Sequence, residues 1–173
     1  MMRIFAILFS LTVLASLASP PLPELVQKDQ PGLTLQSQSP YRFFGLKVYD
    51  IRLWAQGARY DAAQPHALEL VYDMNLKGED IAKRSITEMR GQGYGPEDKL
   101  GRWNAAMAKI FPDIKPGDTL IGVHVPGKEV RFYTRDKFIT AVTDAEFARA
   151  FFDIWLAERT SEPGLRKRLL EQK

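Results

Sequence analysis

The stretch Tyr41-Arg42-Phe43-Phe44-Gly45-Leu46-Lys47-Val48-Tyr49-Asp50 sets one guanidinium and two phenols among large apolar side chains. A guanidinium grips a carboxylate or an enolate through two parallel N–H bonds, and a phenol can add a third donor. A mostly apolar pocket with a few placed polar groups is the usual form of a small-molecule site. Arg42 and Tyr49 are therefore the first candidates to hold the polar end of a ligand, and the weak candidates for any catalytic step. Tyr41, Trp54 and Tyr72 are the further ligand-lining candidates. The plainer alternative makes Tyr41, Tyr49 and Tyr72 core or rim residues and Arg42 a solvated strand cation, because exposed arginines are common.

Several chemistries lack their residues. There is no Cys, hence no thiol nucleophile and no disulfide framework, and no glycine-rich phosphate loop joins a strand to a helix. The two histidines, His66 and His124, have no motif around them, whereas metal sites and Ser–His hydrolases need a histidine with partners at definite spacing. His66 follows Pro65 and reads as a solvated loop residue; His124 reads as a strand residue facing away from Ile121, Val123 and Val125. No metal and no cofactor are expected. Asp80 and Arg84 read as a solvated helix pair, worth a few tenths of a kcal/mol.

Charge narrows the partners. Lys and Arg number 24 against 21 Asp and Glu, and the cations are scattered apart from Arg166, Lys167 and Arg168 near the C-terminus. That cluster suits the last turn of a helix. Nucleic-acid binding is not expected from so balanced a chain.

The N-terminus has the pattern of a secretory signal. Arg3 gives the basic start, Ile4–Leu14 the short apolar run, and Ala15, Ser16 and Ala18 the small-residue exit. Residues 1–18 are expected to be a signal peptide cut near Ala18, and the run is short of the ~20 residues a span needs. The expectation is a periplasmic or secreted protein with no membrane insertion after cleavage, of open oligomeric state. Residues 19–32, with four prolines, read as an extended linker, and 33–173 as one domain.

Within that domain the periodicities alternate between two and 3.6. Strands are expected at 33–37, through 41–54 with Gly45 interrupting, at 68–74, in a hairpin of 119–125 and 129–133 around Pro126-Gly127, and at 137–142. A helix opens at Glu79 and Asp80 and carries Ile81, Ser85, Ile86 and Met89; a second carries Leu100, Trp103, Met107, Ile110 and Phe111. Thr143 with Glu146 reads as a capping box for a helix stacking Phe147, Ala150, Phe151, Ile154 and Trp155. Pro163 starts a last helix with Leu165, Leu169 and Leu170 inward. Strands, two helices, strands and two helices give an α+β fold, an antiparallel sheet with helices on one face.

Three ordered stretches, Phe44–Trp54, Ile110–Asp118 and Asp144–Leu156 continuing through Thr160–Arg166, make the chain resemble the bacterial exported branch of the chalcone isomerase-like family. The resemblance implies an open-faced β-sandwich, a large antiparallel sheet packed by a helical layer with a ligand cleft between. It also implies one of two activities: closure of a chalcone by intramolecular addition, or binding of fatty acids through an arginine and a tyrosine. Arg42 most nearly matches the cleft arginine; Tyr49 falls where the enzymes place a threonine and the fatty-acid binders a tyrosine. Asn104, Asp153 and Thr160 are approximate positions for the enzymes' remaining polar groups. The expected function is a periplasmic binder of a fatty acid or similar small amphipathic acid. An intramolecular lyase or isomerase acting on an enone or phenolic substrate is the alternative, and a non-catalytic protein-interaction module the second alternative.

Overall fold

The computed structural model describes residues 21–171, so the signal peptide expected at 1–18 lies outside the described residues. Six strands form: β1 (Thr34–Phe43), β2 (Leu46–Ala55), β3 (His66–Tyr72), β4 (Thr119–Val125), β5 (Glu129–Thr134) and β6 (Phe138–Val142). They pair antiparallel in chain order as one open sheet. The helices are α1 (Glu24–Asp29), α2 (Gly78–Gly91), α3 (Glu97–Ile110), α4 (Ala145–Leu156) and α5 (Pro163–Leu170). The expected α+β architecture, an open antiparallel sheet under a helical layer, is the one present.

Strand side chains alternate between faces. Ile51 and Leu53 of β2, Leu68 and Leu70 of β3, and Val130 and Phe132 of β5 thus share the face beneath the helices. They form one core with Ala82 and Met89 of α2, Leu100 and Met107 of α3, and Phe147 and Ala150 of α4. Two glycines permit this closeness. A Cβ on Gly78 would lie 1.9 Å from the Phe111 carbonyl oxygen, so α2 starts against the backbone that leaves α3. A Cβ on Gly122 would meet the Phe151 ring at 3.0 Å, so the gap in β4 is where α4 seats its aromatic face. On the edge strand, Ser37 Oγ donates to Leu169 O and Arg168 Nε to Ser39 Oγ, both at 2.7 Å, which fixes α5 over β1.

Three sequence expectations change. The stretch 19–32, read as extended linker, contains α1, and Leu22 and Val26 are buried against Trp54, Ala67, Ile121, Val123 and Tyr133. These strand residues form an apolar patch on the outer face that needs cover, and the short Leu-x-x-x-Val segment supplies it. Asp29 fastens the helix to Arg131 at 2.6 Å and to the Tyr133 hydroxyl. The cap of α4 is Asp144, which accepts from Glu146 N and Phe147 N, both at 3.0 Å, whereas Thr143 hydrogen-bonds Glu129. His66 is not solvated: it begins β3, lies opposite His124, and is 1% exposed because α4 sets Phe152 over it.

Candidate ligand cavity

Space is left between the sheet and the helices where β2 and β3 meet α2 and α4, a cavity of about 290 Å³. Tyr49, Leu70, Tyr72, Leu120 and Gly122 make its floor, and Ile81, Ser85, Phe151, Ile154 and Trp155 its roof. The apolar walls follow from the two periodicities: alternate strand residues below, and the inward stripes of two helices above. Asp80, Arg84, Glu88, Ser161 and Glu162 carry the polar groups of the lining, beside Tyr41 and Phe43.

The phenols form a connected set. Tyr41 stacks on Tyr49 with ring centres 4.9 Å apart, and Tyr72 meets Tyr49 edge-on at 5.6 Å. Trp155 Nε1 donates to the buried Tyr49 hydroxyl at 2.9 Å, which leaves the phenol proton to donate elsewhere. Burial pushes the Tyr49 and Tyr72 hydroxyls well above the ordinary phenol range. Burial, reinforced by Glu162, also raises Tyr41. At neutral pH all three are therefore neutral hydrogen-bond donors and not bases.

The polar lining is an ion-pair cluster. Arg84 Nη2 lies 2.5 Å from Glu88 Oε1, and Ser161 Oγ donates to Glu88 Oε2 at 2.6 Å. Tyr41 donates to Glu162 Oε1 at 3.4 Å, and the Arg84 guanidinium stands 5.7 Å over the Phe43 ring. Because Glu88 keeps Ser161 as a donor, Arg84 can turn to a ligand without leaving that carboxylate unpartnered. No group of three or more His, Cys, Asp or Glu able to hold a metal occurs among the described residues.

Of the ligand residues expected from sequence, Tyr41, Tyr49 and Tyr72 line the cavity. Arg42 does not: strand alternation points it away from Tyr41 and Phe43, and its Nη1 donates to Gly45 O at 3.1 Å on an exposed turn. Trp54 faces the outer side of the sheet, where its Nε1 donates to Glu69 Oε2 at 3.1 Å. Asn104, Asp153 and Thr160 are also outside the lining; Asp153 accepts from Tyr94 at 2.5 Å and Thr160 donates to Ile154 O at 2.6 Å. The cation of the cavity is Arg84, passed over in the sequence as half of an exposed Asp80–Arg84 pair. The stripe Ile81, Arg84, Ser85, Glu88 was the available signal, since residues three and four apart share a helix face.

A six-stranded antiparallel meander, roofed by helices over an apolar cavity with phenols inside it, is the architecture of an open-faced sandwich. The chain belongs to the chalcone isomerase-like family, whose family model matches residues 16–171. A Haemophilus influenzae protein described only as uncharacterized is 28% identical over 131 residues, which is 75% of this chain and 64% of that relative's length. The crystal structure of an Arabidopsis thaliana fatty-acid binding protein superposes with a TM-score of 0.63 at 12% identity, covering 86% of this chain and 89% of that one. At that identity the likeness is one of fold.

Proposed function

We propose that this protein binds a small amphipathic acid, of which a medium-chain fatty acid is the first candidate, with its apolar body in the cavity and its acid end beside Arg84. The observation that carries the proposal is the cavity itself, an apolar space whose lining holds a guanidinium able to exchange partners. The fatty-acid binding of the structural neighbour supports the choice of ligand. The N-terminal signal pattern supports a periplasmic location. Three carboxylates share the lining with Arg84, so the acid must displace Glu88 from it, and affinity depends on that exchange.

Turnover of the chalcone isomerase type has less support. It needs donors and a cation preorganised where negative charge develops on oxygen, whereas here Arg42 lies outside the cavity and Arg84 is held by Glu88 at its edge.

Titration with dodecanoate, followed by native mass spectrometry, tests the binding reading. The expected result is a one-to-one complex that Arg84→Ala weakens about tenfold, the low end for a charge-assisted hydrogen bond. Arg42→Ala is expected to leave it unchanged. Absence of any complex, or equal binding by the Arg84→Ala protein, would remove the proposal.

A further inference from the structure

We infer that the β1–β2 hairpin tip, Phe43-Phe44-Gly45-Leu46, docks into the polar–apolar boundary of a lipid bilayer. Phe44 is 91% exposed, Leu46 67% and Phe43 47%, the three most exposed large apolar side chains of one short turn. Phe43 pairs with Leu46 and Arg42 with Lys47, so the turn itself is two residues, Phe44 and Gly45. Both have positive φ, +47° and +81°. A two-residue turn of that geometry favours Asn or Gly at its first position, because a Cβ strains the left-handed backbone. Here an aromatic residue sits in that strained position, and its ring contact among the described residues is the neighbouring Phe43. Strain and exposure together disfavour phenylalanine in the isolated fold, which points to a role outside it.

The chemistry of the tip favours lipid over protein. A convex tip of three apolar residues is far smaller than the roughly 800 Å² per partner of a stable protein interface. Insertion at a bilayer boundary needs only a few apolar or aromatic side chains with a cation at headgroup level. Arg42 fits that place: it adjoins the turn and has no ion-pair partner among the described residues, whereas Lys47 is engaged by Asp50 and Asp73 at 2.7 and 3.0 Å. The contact is peripheral, since no described helix is long and apolar enough to cross a membrane. Phe43 belongs to both the tip and the cavity lining, so docking would bring the cavity to the membrane surface. The docking itself does not depend on which ligand the cavity holds.

The chain lacks cysteine, so a single introduced thiol reports on one position. Protein made from the full-length gene, carrying Leu46→Cys labelled with an environment-sensitive fluorophore, is titrated with phosphatidylcholine vesicles containing some phosphatidylglycerol. The expected result is a blue shift at position 46, and none for a label at Lys128→Cys on the β4–β5 turn at the other end of the sheet. Adding Phe44→Gly should lower the partition coefficient about tenfold or more, the scale of one buried aromatic side chain. Its thermal midpoint should be equal or higher, because glycine relieves the backbone, and its dodecanoate uptake in solution should be unchanged. Arg42→Ala should cost roughly fivefold on these vesicles. No shift at position 46, equal shifts at both positions, or vesicle binding indifferent to Phe44→Gly would overturn the inference. So would a dimer that Phe44→Gly dissolves in the absence of vesicle binding, which would assign the tip to a second copy of the chain.

Discussion

Replacement of Glu69 by alanine is expected to cost about 3–5 kcal/mol of stability, the range for removing one partner of a buried ion pair. Glu69 is fully buried on β3, on the outer face of the sheet. Its carboxylate accepts from Trp54 Nε1 at 3.1 Å and from Arg135 Nη2 at 3.4 Å, and lies 3.3 Å from Arg52 Nη1. Arg52 itself is buried and donates through Nε to Gln38 at 3.1 Å. Losing the carboxylate strands a buried guanidinium and an indole N–H in the same place on the outer face. Urea denaturation should show the midpoint falling with little change in slope. The double replacement Arg52→Met with Glu69→Leu should recover much of the loss, because removing both charges removes the desolvation penalty as well. A Glu69→Ala protein within 1 kcal/mol of the parent, on the order of an ordinary exposed site, would contradict this reading.

Acidification is expected to destabilise the fold through His66. Burial, opposed by the hydrogen bond between Nδ1 and Gln64 O at 2.9 Å, pushes its imidazole down to about 4. His124, ring centre 4.6 Å away, is also lowered by burial, and neither His66 Nε2 nor His124 Nδ1 has a hydrogen-bond partner among the described residues. The folded value lies below the unfolded one, near 6.5, so the unfolded chain takes up the proton first as pH falls. Stability is therefore complete above about pH 6.5 and is lost progressively towards pH 4, by about 3 kcal/mol. About 2 kcal/mol of this falls between pH 7 and pH 5, above the range where most paired carboxylates titrate. His66→Asn keeps a donor for Gln64 O without the titrating ring, and should flatten the profile in that interval. An unchanged slope between pH 7 and pH 5 would show that His66 is not the group responsible.

These two groups mark the limit of what periodicity reveals. Leu68 and Leu70 announced a half-buried strand, yet the alternation that buries them puts Glu69 on the outer face, where only α1 and the long side chains around it decide its burial. Pro65 before His66 looked like a loop signal, but the residue is the first of β3 and Phe152 of α4 closes over it. The hairpins, turns and the four longer helices were legible because each depends on a few adjacent residues, whereas α1 is held by distant strand residues of the outer face. The Phe111 and Phe151 contacts that shape the cavity join segments far apart in the chain and carry no local mark. Arg42 and Arg84 show the same division. Both are cations beside apolar residues in the sequence, and only the register of β1 and the crossing of α2 over the sheet decide which one reaches the hollow. The tyrosines were the legible part of the site, since Tyr49 and Tyr72 fall on the inward phase of their strands.

We propose that the space above Tyr49 and Tyr72 is the ligand site, with Arg84 as its cation. A crystal grown with dodecanoate brominated at its terminal carbon tests this, because bromine is located by its anomalous scattering without reference to side-chain density. One bromine peak is expected inside the cavity walled by Tyr72, Leu120 and Phe151, with the carboxylate within hydrogen-bonding distance of the Arg84 guanidinium. An empty cavity with bromine elsewhere on the surface, or side chains collapsed into the space, would contradict it.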